Sequence, residues 1–222
     1  DFAKIGYRMV PKLLYAPDYG IPQMRKRVFF VGLRDSHEDF KFPEPTVGKN
    51  DYITCEEAIG DLPSLQTDEG DIIYGEEIQD YLYPIQNDYQ KRMRANSEKV
   101  RNHIGSIPIE KTKFMISLVP EGKNYKALPE EYQGIYKYHE ALTRYHSKKP
   151  SNTINTGHRS HFHYKWNRIP TVRESARLQS FPDDFIFYGN KSEQYRQVGN
   201  AVPPILGQVV ADALLPYLKD GE

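Results

Sequence analysis

Gln23-Met24-Arg25-Lys26-Arg27-Val28-Phe29-Phe30-Val31-Gly32-Leu33-Arg34 is the stretch against which the rest of the chain can be placed. Its part from residue 26 to 34 reads as a strand, with the continuous apolar run of one covered on both faces. Upstream, Ile5, Tyr7, Met9, Leu13 and Leu14 mark a partner strand over residues 5 to 14, and Pro17-Asp18-Tyr19-Gly20-Ile21-Pro22 supplies turn chemistry between the two. Two buried strands cannot stand by themselves, so they belong to a larger sheet. Gln23, Arg25 and Arg27 occupy alternate positions entering the second strand, and strand geometry held through them would send their side chains from one face. An amide beside two guanidiniums is a rigid donor array that suits a planar carbonyl, a carboxylate or a phosphate. Alternating arginines on an edge strand are equally compatible with plain solvation.

Further along, Cys55 to Ile59 is a short helical segment, and residues 63 to 168 show weak periodicity, many Tyr and one modest helix candidate at 86 to 101. Order returns at Thr171, which with Glu174 forms a capping box and starts a helix that Ser180-Phe181-Pro182 stops. A second helical stretch, Ser192 to Val198, ends at Gly199-Asn200. Pro203 and Pro204 open a last helix whose Leu206, Val209, Val210, Ala213 and Tyr217 make an apolar stripe that must dock on something.

The 222 residues, 38% hydrophobic and 27% charged with 17 Tyr, describe a soluble globular protein. No window approaches the ~20 apolar residues of a membrane span. A lone cysteine, Cys55, excludes a disulfide framework and points to a reducing cytoplasm. The chain opens on Asp1 rather than Met, inside what reads as a strand pattern, as a piece of a longer chain would. The 30 basic and 30 acidic residues cancel, yet they are segregated: residues 35 to 90 hold fifteen Asp and Glu against two Lys, and residues 137 to 177 hold nine Lys and Arg against two Glu. A neutral protein can still turn one basic face to a polyanion, or both runs can be solvated surface. His158, His161 and His163 lie close enough for a metal site, but no further ligand is suitably spaced, and a DNA-facing loop is preferred.

Tyr19-Gly20-Ile21-Pro22-Gln23-Met24-Arg25-Lys26-Arg27 resembles the Gln-x-Arg-x-Arg block of the cytosine-C5 DNA methyltransferases. The run from Arg168 through Thr171-Val172-Arg173-Glu174-Ser175-Ala176-Arg177-Leu178-Gln179-Ser180-Phe181-Pro182 to Asp183 is similar to the family's ninth block, and Gln197-Val198-Gly199-Asn200-Ala201-Val202-Pro203-Pro204 to its tenth. Ala58 to Pro63 and Lys149 to Ile154 are also similar, so the resemblance covers nearly the whole chain. It implies an α/β fold: edge strands and C-terminal helix of a Rossmann-like methyltransferase lobe, plus a small mixed α+β target-recognition domain. Residues 1–62 would be the C-terminal part of the catalytic lobe, 63–168 the recognition domain, 169–190 the hinge and 191–222 the return to the catalytic lobe.

The same resemblance implies that Arg27 donates to O2 of a flipped cytosine, that Arg25 shapes that pocket and that Gln23 supports the loop. Asn200 and Ala201 would complete the S-adenosylmethionine pocket, although Gly199-Asn200 also reads as a helix C-cap. Lys148, Lys149, Arg159, Lys165 and Arg168 would meet the phosphates of double-stranded DNA. The family's Pro-Cys-Gln nucleophile, its Glu-Asn-Val acid and its glycine-containing cofactor loop do not occur here, and Cys55, among acidic neighbours, is not the nucleophile. The expectation is therefore the C-terminal portion of such an enzyme, dependent on an N-terminal catalytic portion in the same gene or in a separate subunit. Its unpartnered apolar surfaces would favour self-association of the isolated chain. The rival expectation is a non-catalytic DNA-recognition or regulatory module.

Overall fold

The computed structural model describes residues 2–36, 38–67, 71–136, 141–157 and 160–218. Strand β1 (Tyr7–Tyr15) pairs antiparallel with β2 (Lys26–Arg34) in a register that sets Leu14 against Arg27 and Pro11 against Phe30. Their connection is a 3-10 turn, Ala16–Tyr19, closed by Gly20 in the left-handed region at φ 75°, where a side chain would be strained. Phe29, Val31 and Leu33 face the core, whereas Leu13, Val28 and Phe30 on the other face are 56%, 55% and 68% exposed. The expected cover on both faces of β2 is thus present on one only among the described residues.

Helices α1 (Cys55–Ile59), α2 (Asp88–Arg94), α4 (Val172–Leu178), α5 (Lys191–Asn200) and α6 (Pro204–Leu218) contribute to the core on the covered face, and α3 (Glu110–Ser117) packs in a separate cluster. Between them lie the two-residue strands β3 (Ile78–Gln79) and β4 (Val100–Arg101), antiparallel, and β5 (Thr143–Arg144) and β6 (His161–Phe162), parallel. The helix expected over 86 to 101 stops at Arg94, and its last residues become β4. Capping boxes start α1 at Thr54, α4 at Thr171 and α5 at Asn190.

The main core joins Leu14, Ile21, Cys55, Ile59, Val172, Leu178, Val198 and Leu206, and it also takes Tyr89, Met93, Val100, Tyr145, Ile154 and Tyr164 from the middle of the chain. A second, smaller core holds Met115, Ile116, Val119, Leu128, Leu142 and Phe162. The α6 stripe docks on aromatic side chains, with Tyr217 5.4 Å from Phe40 between ring centroids and its hydroxyl accepting from the Lys41 N–H at 3.1 Å. Taken together α5 and α6, Lys191–Leu218, are long and apolar enough to cross a membrane by composition, so the exclusion drawn from sequence windows does not hold on that ground. The break at Ala201–Pro203 divides them into two helices.

Candidate functional site

The alternation of Gln23, Arg25 and Arg27 does not become one displayed row. Ahead of β2 the backbone makes two consecutive tight turns, Gln23 N–H to the Ile21 carbonyl at 2.7 Å and Arg25 N–H to the Gln23 carbonyl at 2.8 Å, and both side chains turn into the protein. Gln23 and Arg25 are wholly buried. Arg25 donates through Nη1 to the Ile154 carbonyl at 3.0 Å, and through Nη2 to the carbonyls of Gly199 at 2.8 Å and Ala201 at 3.1 Å. Gln179 donates to that same Ala201 carbonyl at 2.8 Å and also accepts from Gln23. Burial, with the charge of Arg27 adding to it, pulls the Arg25 guanidinium down to about 10. Arg25 and Gln23 are therefore positioning groups, not ligands of an open pocket. Arg27 alone of the three is part-exposed, on the core-side face beside Leu14, its Nη1 donating to the Lys26 carbonyl at 2.8 Å.

Asn200 closes α5 with its side chain exposed, and Ala201 follows at φ −67°, so the left-handed cap expected at Gly199-Asn200 is absent. Gly199 is inside the helix for another reason: a Cβ there would meet the Asn155 carbonyl oxygen at 2.5 Å and the Thr156 nitrogen at 2.8 Å. The segment from Ser151 to Thr156 thus passes hard against α5. It is also stitched to the entry of β2, since Met24 N–H donates to the Ser151 carbonyl at 2.8 Å and the Thr153 hydroxyl to the Met24 carbonyl at 2.7 Å. Three stretches distant in sequence meet here.

The expected phosphate contacts divide. Lys149 is exposed; Lys148 is exposed but paired with Glu56; Lys165 is exposed with its ammonium 4.5 Å from the Trp166 ring. Arg168 is corrected: it is fully buried, with both terminal nitrogens on the Glu174 carboxylate at 2.7 and 2.6 Å, and it has no surface to offer DNA. Arg159 and His158 lie outside the described residues. Cys55 is buried, and burial pushes its thiol well above the usual range.

A profile of the C-5 cytosine-specific DNA methylase family matches residues 1–215. The chain belongs to that family. It is 39% identical over 215 residues to the type II methyltransferase M1.HphI of Haemophilus parahaemolyticus, covering 97% of this chain and 50% of that one. To M.DdeI of Desulfomicrobium norvegicum it is 34% identical, covering 99% and 57%. The chain therefore spans about half the length of the relatives it matches. A solved structure described as a DNA modification methyltransferase encoded within an E. coli prophage superposes with a TM-score of 0.74 over 96% of this chain and 62% of that one, at 22% identity. That likeness shows a methyltransferase fold of mixed α/β content.

In this C-5 cytosine methylase chain, helix α4 is held by a buried polar set. Glu174 accepts from Arg168 and from the Thr171 N–H; burial alone would raise its carboxyl, but the Arg168 guanidinium overrides this and holds it far below the usual range. His163 Nδ1 accepts from the Lys165 and Trp166 N–H groups, and its Nε2 lies 3.6 Å from Glu174. His103 bonds the Pro63 carbonyl through Nε2 at 2.7 Å and the Thr171 hydroxyl through Nδ1 at 2.8 Å. A carbonyl only accepts, so Nε2 carries the proton and Nδ1 takes the hydroxyl's.

Burial lowers His103 to about 4 and His163 to about 3. Both fold neutral, so their contribution is complete above the unfolded value near 6.5 and is lost as pH falls from there toward 4 and 3. Each histidine should give a slope of about 1.4 kcal/mol per pH unit in that window. Urea unfolding between pH 7.5 and 5 is the measurement, and His103→Gln, which donates and accepts without titrating, should halve the slope. A flat profile would show that these groups do not titrate as a buried pair. Sequence reading missed Asp61 and Gln179 as partners and passed over Lys123 and Lys126, whose only signal is a Lys-Asn-x-Lys run after the Pro120-Glu121-Gly122 turn.

Proposed function

We propose that this chain is the C-terminal portion of a site-specific DNA (cytosine-5-)-methyltransferase, working in the cytoplasm as the modification partner of a restriction system. On this reading it supplies target recognition from residues 63–168 and part of the cytosine and cofactor pockets, on edge strands and a return helix of a Rossmann-like lobe. The observation that carries it is the convergence of Arg25 and Gln179 on the Ala201 carbonyl, which fixes the β2 entry, the end of α4 and the end of α5 around Arg27. A donor held at a cytosine carbonyl and a loop held at a cofactor need that mutual registration.

S-adenosylmethionine would supply the electrophilic methyl group. Asn200, an exposed amide next to the 45% exposed Val202, suits the polar edge and flat face of a nucleoside. The thiolate, the acid and the remainder of the cofactor pocket would come from an N-terminal catalytic portion, whose packing would also cover Leu13, Val28 and Phe30.

The chain alone should transfer no tritiated methyl from S-adenosylmethionine to DNA above background and should scatter light as oligomers, because its open apolar face has no cover. Joined to the upstream portion it should become active. Turnover by the chain by itself would refute the division of labour, and an inactive joined protein that still binds DNA would favour the non-catalytic module.

A further inference from the structure

Most cations that the basic run of the sequence suggests for DNA are already engaged, Lys149 being exposed without an ion pair among the described residues. Lys148 is matched by Glu56, Lys165 is laid on Trp166, and Arg168 is sealed against Glu174. Lys123 and Lys126 are exposed and make no ion pair among the described residues. Together with Asn124, Thr143 and Asn152 they line an open groove of about 500 Å³ with no acidic residue among the described residues of its wall.

The groove is held open by the fold. Arg144 N–H donates to the Lys123 carbonyl at 2.9 Å, Gly122 N–H to the Arg144 carbonyl at 3.1 Å and Tyr125 N–H to the Ala141 carbonyl at 3.2 Å, so the lysine loop is pinned along β5. Two left-handed residues, Gly122 at φ 69° and Leu142 at φ 51°, bend the backbone at its edge; the second is a conformation that a leucine adopts only under constraint. The opposite wall, Asn152, lies between Ser151 and Thr153, the two residues bonded to Met24. Arg27 is three residues beyond Met24.

We propose that this groove seats the DNA backbone, with Lys123 and Lys126 on its phosphates. The proposal rests on the methyltransferase reading and adds the surface that carries the duplex. Free ammonium groups release counterions when they meet phosphates, whereas lysines already paired with carboxylates release fewer.

The test is fluorescence anisotropy of the full-length enzyme with a mixed-sequence duplex across a salt series. Lys123→Ala with Lys126→Ala should weaken binding at physiological salt and make the slope of log K on log salt shallower by about 1.8, or 0.9 per phosphate. Lys123→Arg with Lys126→Arg should keep both, because the contact needs charge. S-adenosylhomocysteine affinity and the melting midpoint should match wild type in both variants, which separates lost contacts from lost folding. An unchanged slope in the alanine pair, in an enzyme whose wild type methylates genomic DNA, overturns the groove and leaves the methyltransferase reading standing. A wild type that methylates no DNA overturns both.

Discussion

Arg27→Ala in the complete enzyme should slow single-turnover methylation by roughly 10²- to 10³-fold, about 2.7 to 4 kcal/mol at the transition state, while duplex affinity changes little. When a thiolate adds to C6 of cytosine, electron density moves into the ring, and a fixed cationic donor at O2 stabilises that state more than the ground state. On the proposed reading Arg27 would take that role, and it contrasts with its neighbour. Arg25 spends its terminal nitrogens on carbonyls inside the protein, whereas Arg27 is part-exposed with one bond, to the adjacent Lys26 carbonyl. Arg27→Lys should recover little, since a point ammonium cannot reproduce the planar fork. Equal losses of rate and binding in Arg27→Ala would make the residue a positioning contact and take it out of the cytosine pocket.

Arg177→Ala should have the largest effect on stability, about 3 to 5 kcal/mol. Arg177 is fully buried and donates through Nε and Nη2 to Asp183, both at 2.6 Å, and through Nη1 to Asp61 at 3.1 Å. Burial would lower its guanidinium, yet Asp183 and then Asp61 outweigh that and raise it. Truncation leaves two buried carboxylates, with Arg94 on Asp61 and with the Tyr81 hydroxyl and the Arg173 guanidinium, 3.8 Å away, on Asp183 as remaining support. Guanidinium-chloride unfolding measures the loss. Neutralising the triad, Arg177→Met with Asp61→Asn and Asp183→Asn, should recover part of it, because a buried charge is most harmful when left alone and Arg173 keeps the carbonyls of Arg101, Pro182 and Phe185. A triple variant as unstable as Arg177→Ala would mean that packing, not charge pairing, sets the effect.

What the sequence made legible was local. The β1–β2 hairpin, the Thr171 capping box and the α6 stripe depend on neighbours a few residues apart, and each is found close to where its pattern lies. What it hid was remote: the acceptors that take Arg25 out of the open site lie 129 and 174 residues away in the chain. Arg168 misled for a related reason. A basic residue among histidines and lysines reads as surface until Glu174, six residues on, is seen to take both of its terminal nitrogens. The apolar run of β2 states a need for cover on both faces, and periodicity cannot say which part of a protein meets that need.

The two bonds of His103 bear on how specificity could be exchanged between enzymes of this family. Pro63 and Thr171 stand at the exit and re-entry of the long excursion between α1 and α4, and one imidazole, 40 residues past the first and 68 before the second, holds both. The clasp belongs to the excursion, and the atoms it grips belong to the scaffold. If the excursion is the recognition segment, as proposed, a transplanted one can differ greatly in length, since closing a longer loop adds little entropy. It must, however, bring its own neutral donor-and-acceptor side chain to that point, or the exit and re-entry of the graft will lose the bond that joins them.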